Sequence, residues 1–197
     1  MRMNNGLIVG VAALAALAIG VGGMALQGGW TVDGALAGTR LTARWAFPWF
    51  IAAFAASSLA GLWPGGWRTA LLRRRRAVGL AFAASHGVHL GFILLAALVF
   101  GHPLSPVSII GGGLTYVFVG LMALTSNDAS VRLLGRNRWK LLHSVGGWLV
   151  LLIFTNSYVG RLGEKPWLAI PTLTLVAAAV LLRAAVFARK RLRAQVA

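Results

Sequence analysis

The sequence contains no cysteine and only three acidic residues, Asp33, Asp128 and Glu164. Without cysteine, the chain has no disulfide, no thiolate metal site and no cysteine-ligated iron–sulfur cluster. None of the three acids lies inside a long apolar run, which argues against a proton relay or a cation-transport path built on carboxylates. The side chains left to consider as metal ligands are the four histidines.

Most residues of the chain are apolar. The chain is 58% hydrophobic and 11% charged, with a mean hydropathy of +0.79, and this composition predicts an integral membrane protein with a single domain over residues 1–197. The net charge of +16 comes from basic residues that lie mostly between or after the apolar runs. Basic residues in such places mark membrane topology and contact anionic lipids, so we expect the lipid bilayer as a partner and no nucleic acid.

The apolar runs predict an all-α, polytopic membrane helix bundle with six transmembrane helices. The first run exceeds the roughly 7–15 residues of a signal-peptide core, which favours a membrane span over a cleaved signal. The segments 27–44 and 126–140 are predicted to be loops, and Gly111, Gly112 and Gly113 are predicted to allow close helix packing. The six spans are expected at about 6–26, 45–62, 77–100, 105–125, 141–160 and 167–188.

Basic residues also predict the orientation of the bundle. The basic segment 68–76, the loop 126–140 and the tail 189–193 fall on one side of a six-span protein, together with both termini. The positive-inside rule makes that side cytoplasmic. We expect the protein to reside in a bacterial inner (plasma) membrane. The third and fifth spans then run parallel.

Three histidines lie in those parallel spans. His86 and His89 are three residues apart in the third span and share one helix face, and His143 opens the fifth span. An imidazole inside the hydrocarbon layer is costly and needs a partner or a function. Histidines shared between two membrane helices are typical of a buried haem iron. Three alternatives stay open: hydrogen bonding to a neighbouring carbonyl or serine, zinc or copper binding by the i, i+3 pair, and an interfacial position for His143.

Two stretches resemble the ferric-reductase-like transmembrane superfamily, which includes the haem-binding membrane subunit of the bacterial methionine-sulfoxide reductase system. The run RRAVGL over 75–80, with His89 thirteen residues after Arg76, is similar to that superfamily's third-helix signature. The second stretch, similar to its loop into the fifth helix, consists of residues 124–126, 134–135, Trp139 and 142–143. With a looser likeness over 43–47, the resemblance covers about 43–160. It implies a six-helix bundle with b-type haem, with His89 and His143 at the ligand positions.

The chain departs from this pattern at Asn156, where the family commonly has a second histidine in the fifth helix. At about 1.5 Å per residue, Asn156 lies about 24 Å beyond Lys140, roughly level with His89, which lies about 20 Å beyond Arg76. His143 lies only about 5 Å beyond Lys140, so His86 is expected to match its level better than His89 does. This leaves room for one haem b rather than two.

The expected function is therefore electron transfer by a membrane haem protein, as a membrane subunit of an oxidoreductase. Because no G-x-G-x-x-G follows a predicted strand, the donor or acceptor is expected to be a quinol or a separate partner oxidoreductase. The first alternative is a haem-free membrane subunit or scaffold whose cofactor site has decayed, and Asn156 favours it. A weaker alternative is a metal-ion carrier that uses His86 and His89.

Overall fold

A computed structural model describes residues 4–196 of the chain. This part of the chain contains eight α-helices and no β-strand. Short π-helical turns extend α4 at its end, over Leu95–Val99, and α5 at its start, over Ser108–Gly112. The helices are α1 (Asn5–Leu26), α2 (Val32–Leu62), α3 (Gly66–Arg73), α4 (Arg75–Leu94), α5 (Gly113–Leu124), α6 (Asp128–Leu134), α7 (Arg136–Val159) and α8 (Pro166–Val196).

The start of α2 lies well before the predicted second span. Gly28 and Gly29 adopt positive φ angles of 120° and 62°, which turn the chain sharply after α1. The Thr31 hydroxyl then accepts a hydrogen bond from the Gly34 N–H at 3.2 Å and caps the new helix. The prediction of a loop over 27–44 was therefore wrong from Val32 onward, because a capped helix continues into polar sequence before it reaches the apolar run.

The predicted loop over 126–140 is also mostly helical. The Asn127 side chain accepts a hydrogen bond from the Ser130 N–H at 2.8 Å and starts α6. Gly135, at a φ of 75°, separates α6 from α7, which begins at Arg136. Helix α8 likewise continues through the basic tail to Val196. In each case the helix is longer than its apolar part, since a helix does not have to end where the hydrocarbon layer does.

Five of these helices are long and apolar enough to cross a membrane: α1, α2, α4 with its π turn, α7 and α8. The helix over Ser108–Leu124 passes the same test only together with α6, and the two are bent by 106°. The chain is therefore an all-helical, multi-pass membrane protein with five or six candidate spans.

Helices α1, α2 and α4 pack closely against one another. Gly20 and Gly38 make this possible, because a Cβ at either position would lie within 2.4 Å of the Phe92 ring. The Ala12 carbonyl oxygen accepts hydrogen bonds from Trp45 Nε1 at 2.9 Å and from Ser85 Oγ at 3.2 Å, which ties α1 to both neighbours. Contacts among α1, α2 and α4 thus hold in place the part of α4 that carries His86 and His89.

Candidate histidine sites

His86 and His89 lie side by side on α4, with ring centroids 5.0 Å apart and ring planes 36° apart. This is the arrangement that the i, i+3 spacing predicts on one helix face. Two imidazoles from the same face cannot stand on opposite sides of one porphyrin. At most one of them could therefore ligate the iron of a given haem.

His89 is anchored through one ring nitrogen. Its Nδ1 lies 3.2 Å from the Thr42 hydroxyl oxygen on α2, and that hydroxyl lies 2.8 Å from the Gly38 carbonyl oxygen. The Thr42 hydroxyl has one proton, and because its shortest contact is with the Gly38 carbonyl, we assign that proton to the bond with the carbonyl. His89 Nδ1 then carries its own proton and donates it to the Thr42 oxygen. The Nε2 atom then carries the lone pair, as a metal-ligating imidazole requires.

His86 is buried and surrounded by aromatic rings. Its ring stacks on Phe82 at a centroid distance of 5.1 Å and on Tyr116 of α5 at 4.8 Å, and Phe154 of α7 lies 6.0 Å away. Both His86 Nδ1 and the Tyr116 hydroxyl are buried without a hydrogen-bond partner among the described residues. Since a buried polar group without a partner is costly, these two atoms mark a place where a polar ligand would be stabilised.

Two glycines at the start of α5, Gly112 and Gly113, have no neighbouring atom on their Cβ side. A Cβ at Gly112 or Gly113 would meet no atom within 4 Å. The prediction that these glycines pack against a neighbouring helix was therefore wrong for both.

His143 stands in different surroundings near the start of α7. Its Nε2 lies 3.1 Å from the Thr125 hydroxyl oxygen, and its ring stacks on Trp139 at a centroid distance of 4.1 Å. Trp139 Nε1 donates a hydrogen bond to the Thr125 carbonyl oxygen at 2.8 Å. These contacts tie the beginning of α7 to the end of α5.

The structure does not bring His143 to the histidine pair. On α7 the residue near His86 is Phe154, which follows His143 by eleven residues, or about 16 Å along the helix axis. Asn156, the family's second ligand position in the fifth helix, is exposed. The expected match in level between His86 and His143 is thus absent.

His143 instead lines a cavity of about 500 Å³ between α2, α4, α5, α7 and α8. Four basic side chains also line it: Arg75, Arg76, Lys140 and Arg183. The sequence analysis missed Arg183, although an arginine inside the predicted span 167–188 is itself a signal of a buried polar site. It also missed Thr42 and Tyr116, which an apolar helix pattern does not distinguish from packing residues.

The residues present fit a haem only in part. His89 offers a free Nε2 lone pair, a fixed ring and nearby unpaired polar atoms, so it would suit as an imidazole ligand to haem iron. A haem held between His89 and His143 does not fit, because the two imidazoles belong to separate sites. Residues 4–196 also contain no group of three or more His, Cys, Asp or Glu side chains suited to hold a metal ion, so a carrier site built on the pair lacks further ligands.

The fold and these sites define a multi-pass helical membrane protein with a histidine pair on α4 and a separate, cation-lined cavity beside His143. No family model matches the chain, and neither a curated protein nor a solved structure was found to match it.

Proposed function

We propose that this protein is a membrane b-type haem protein that transfers electrons, with one haem held by His89. The observation that carries the proposal is the hydrogen bond between His89 Nδ1 and Thr42, which leaves Nε2 free as a ligand. The resemblance to ferric-reductase-like membrane domains, in which His89 occupies a ligand position, supports the same assignment. When bound, the haem iron would supply one-electron redox chemistry.

The protein's own residues would prepare this site. Thr42 holds the His89 ring and its tautomer, and the packed interface of α1, α2 and α4 holds Thr42. His86 Nδ1 and the Tyr116 hydroxyl are buried without a partner close to His89, and they would hydrogen-bond to a polar edge of the cofactor. A quinol or a partner oxidoreductase would supply or accept the electrons.

A single protein ligand has a spectral consequence. With His89 as the one residue that would hold the haem iron, we expect about one haem per chain by pyridine haemochrome, a high-spin spectrum and binding of carbon monoxide to the reduced protein. A low-spin spectrum that excludes carbon monoxide would contradict the single-ligand site. His102→Ala provides a control for histidine loss, since His102 lies outside the predicted spans, and it should leave the spectrum unchanged.

A haem-free membrane subunit is the second candidate function. The specific observation in its favour is that Phe82, Tyr116 and Phe154 already pack around the His86 ring, so His86 is held without a cofactor. Colourless protein purified from haem-replete cells would establish this candidate and remove the electron-transfer proposal.

We also propose six spans with both termini in the cytoplasm of a bacterial cell, because the Lys and Arg excess then lies inside. Reporter fusions after Arg76, within residues 126–140 and after Arg193 should all give a cytoplasmic signal. A periplasmic signal within 126–140 would mean that Ser108–Leu124 does not cross the membrane, and five spans would remain.

A further inference from the structure

The cavity beside His143 has the size of a small-molecule site. Its volume of about 500 Å³ lies within the roughly 300–1,000 Å³ of typical ligand pockets. His86 and His89 do not line it, so its role is separate from the histidine pair and independent of the haem proposal.

The charge of the cavity wall is strongly one-sided. Arg75, Arg76, Lys140 and Arg183 line the cavity, and no acidic side chain of the described residues does. The one carboxylate nearby, Asp128, binds Arg76 from outside at 2.6 Å, and its side chain is 74% exposed. Cations that lie partly out of water need counter-charge, so the wall favours an anion.

Two of these arginines converge on one turn of α2. Arg75 Nε donates to the Ala53 carbonyl oxygen at 2.9 Å, and Arg183 Nη2 donates to the Phe54 carbonyl oxygen at 3.2 Å. Each guanidinium has five N–H donors, so these bonds fix the two heads and leave other donors available. Arg183 Nε is buried without a hydrogen-bond partner among the described residues. An oxyanion with several oxygens would satisfy such donors.

The remaining wall is apolar. The aromatic rings of Phe50, Phe54, Phe82 and Trp139 line the cavity together with Val119 and Met122. The Arg183 guanidinium carbon lies 3.8 Å from the centroid of the Phe54 ring, at the boundary between the basic and the apolar wall. A ligand that fills both parts has a charged head and a hydrocarbon body.

We infer that this cavity binds an anionic phospholipid, with its phosphate between Arg75, Lys140 and Arg183 and its acyl chains against the aromatic wall. The lipid is the favoured source of the phosphate because the cavity lies among membrane helices and most of its wall is apolar. Free phosphate would use only the basic part.

Native mass spectrometry of the full chain in neutral detergent tests this inference with three probes: phosphatidylglycerol, diacylglycerol with the same chains, and inorganic phosphate. We expect phosphatidylglycerol to be retained at least about tenfold more tightly than diacylglycerol, as the loss of one or more charge-assisted hydrogen bonds implies. Equal retention of the two lipids would overturn the inference. Binding of inorganic phosphate as tightly as the lipid would overturn the lipid as the source.

Two variants and one control locate the site. Arg183→Gln should weaken phosphatidylglycerol binding by about tenfold. Lys140→Gln, tested independently, changes a more exposed position and should also weaken binding, but by less. Arg193→Gln removes the same charge from the exposed tail and should change binding less than about twofold, as expected of an exposed charge. An equal loss in Arg193→Gln would mean that the whole basic surface attracts the lipid and would overturn the site. His89→Ala should keep lipid binding, which separates this inference from the haem proposal.

Discussion

His89 and His143 each bond to a threonine hydroxyl, but through different ring nitrogens. At His89 the bonded atom is Nδ1, and the Thr42 hydroxyl lies 2.8 Å from the Gly38 carbonyl oxygen. At His143 the bonded atom is Nε2, and the Thr125 hydroxyl lies 2.7 Å from the Leu121 carbonyl oxygen. The same anchor therefore leaves Nε2 free at one histidine and occupies it at the other.

The surroundings of the two histidines also differ. His89 lies against the closely packed interface of α1, α2 and α4, whereas His143 lies near the start of α7 beside a basic cavity and a stacked tryptophan. A histidine count cannot separate these two roles. The partner of each ring nitrogen can, because it determines which nitrogen is left available as a ligand.

The largest expected effect comes from replacing, one at a time, the two threonines that bond to His89 and His143. Thr42→Val removes the acceptor for His89 Nδ1–H and should weaken haem binding about 10- to 100-fold, as is typical for the partner of a metal ligand. Thr125→Val makes the same chemical change at His143 and should leave haem affinity unchanged. Haem titration of the apoprotein, followed by absorption, measures both.

Thr42→Ser is the matched control for this pair, because it keeps the hydroxyl and should retain most of the haem affinity. A loss of haem in Thr125→Val as large as that in Thr42→Val would show that both histidines belong to one site.

The second prediction concerns the packing behind each histidine. A Cβ at Gly38 would lie 2.4 Å from the Phe92 ring and 3.0 Å from the Gly20 carbonyl oxygen. The close packing of α1, α2 and α4 holds both of these groups in place. Gly38→Ala should therefore lower the free energy of unfolding by about 3 kcal/mol, the upper range for overpacking. Thermal unfolding in detergent provides the measurement.

Gly146→Ala is the corresponding change behind His143. A Cβ there would lie 2.8 Å from the Met122 sulfur, and this flexible side chain borders the cavity, so it can move away. The expected loss is below about 1 kcal/mol, since alanine also favours the helix. Equal losses for Gly38→Ala and Gly146→Ala would contradict the claim that the helices pack more tightly around Gly38 than around Gly146.

The smallest effect is expected at the ion pair outside the cavity. Arg76 donates a hydrogen bond to Asp128 at 2.6 Å, and this bond and the charge of Arg76 lower the pKa of the Asp128 carboxyl. A carboxyl with a lowered folded-state pKa stabilises the protein above its unfolded pKa of about 3.9, and the stabilisation is lost as the pH falls through the folded value.

Asp128→Asn should thus lower the melting temperature slightly at pH 6, and the difference from the unaltered protein should vanish in acid below the ordinary carboxyl range. High salt should reduce it as well, since the pair is exposed. A difference that grew in acid would reverse the sign of this argument.

Part of this structure was predictable from the sequence. Long apolar runs predicted the helical membrane protein, and the spacing of His86 and His89 predicted their contact. The rise per residue also indicated that His143 lies near the basic end of the bundle rather than level with His89. These features depend only on local periodicity.

The rest depends on contacts between distant segments. Thr42 is 47 residues from His89, and nothing in its own helix marks it as a partner of that ring. Gly112 and Gly113 permit close packing but do not require it, so the lack of a neighbour beside them was not predictable. Arg183 meets Phe54 across 129 residues, and only the three-dimensional arrangement shows that its charge faces a cavity.

Haem content in two single variants tests the central claim most directly, namely that His89 holds a haem and His143 does not. His89→Ala and His143→Ala are purified from haem-replete cells and compared with the unaltered protein by pyridine haemochrome. We expect His89→Ala to lose the haem and His143→Ala to keep about one haem per chain with an unchanged spectrum. Loss of the haem in His143→Ala, or its retention in His89→Ala, would contradict the claim.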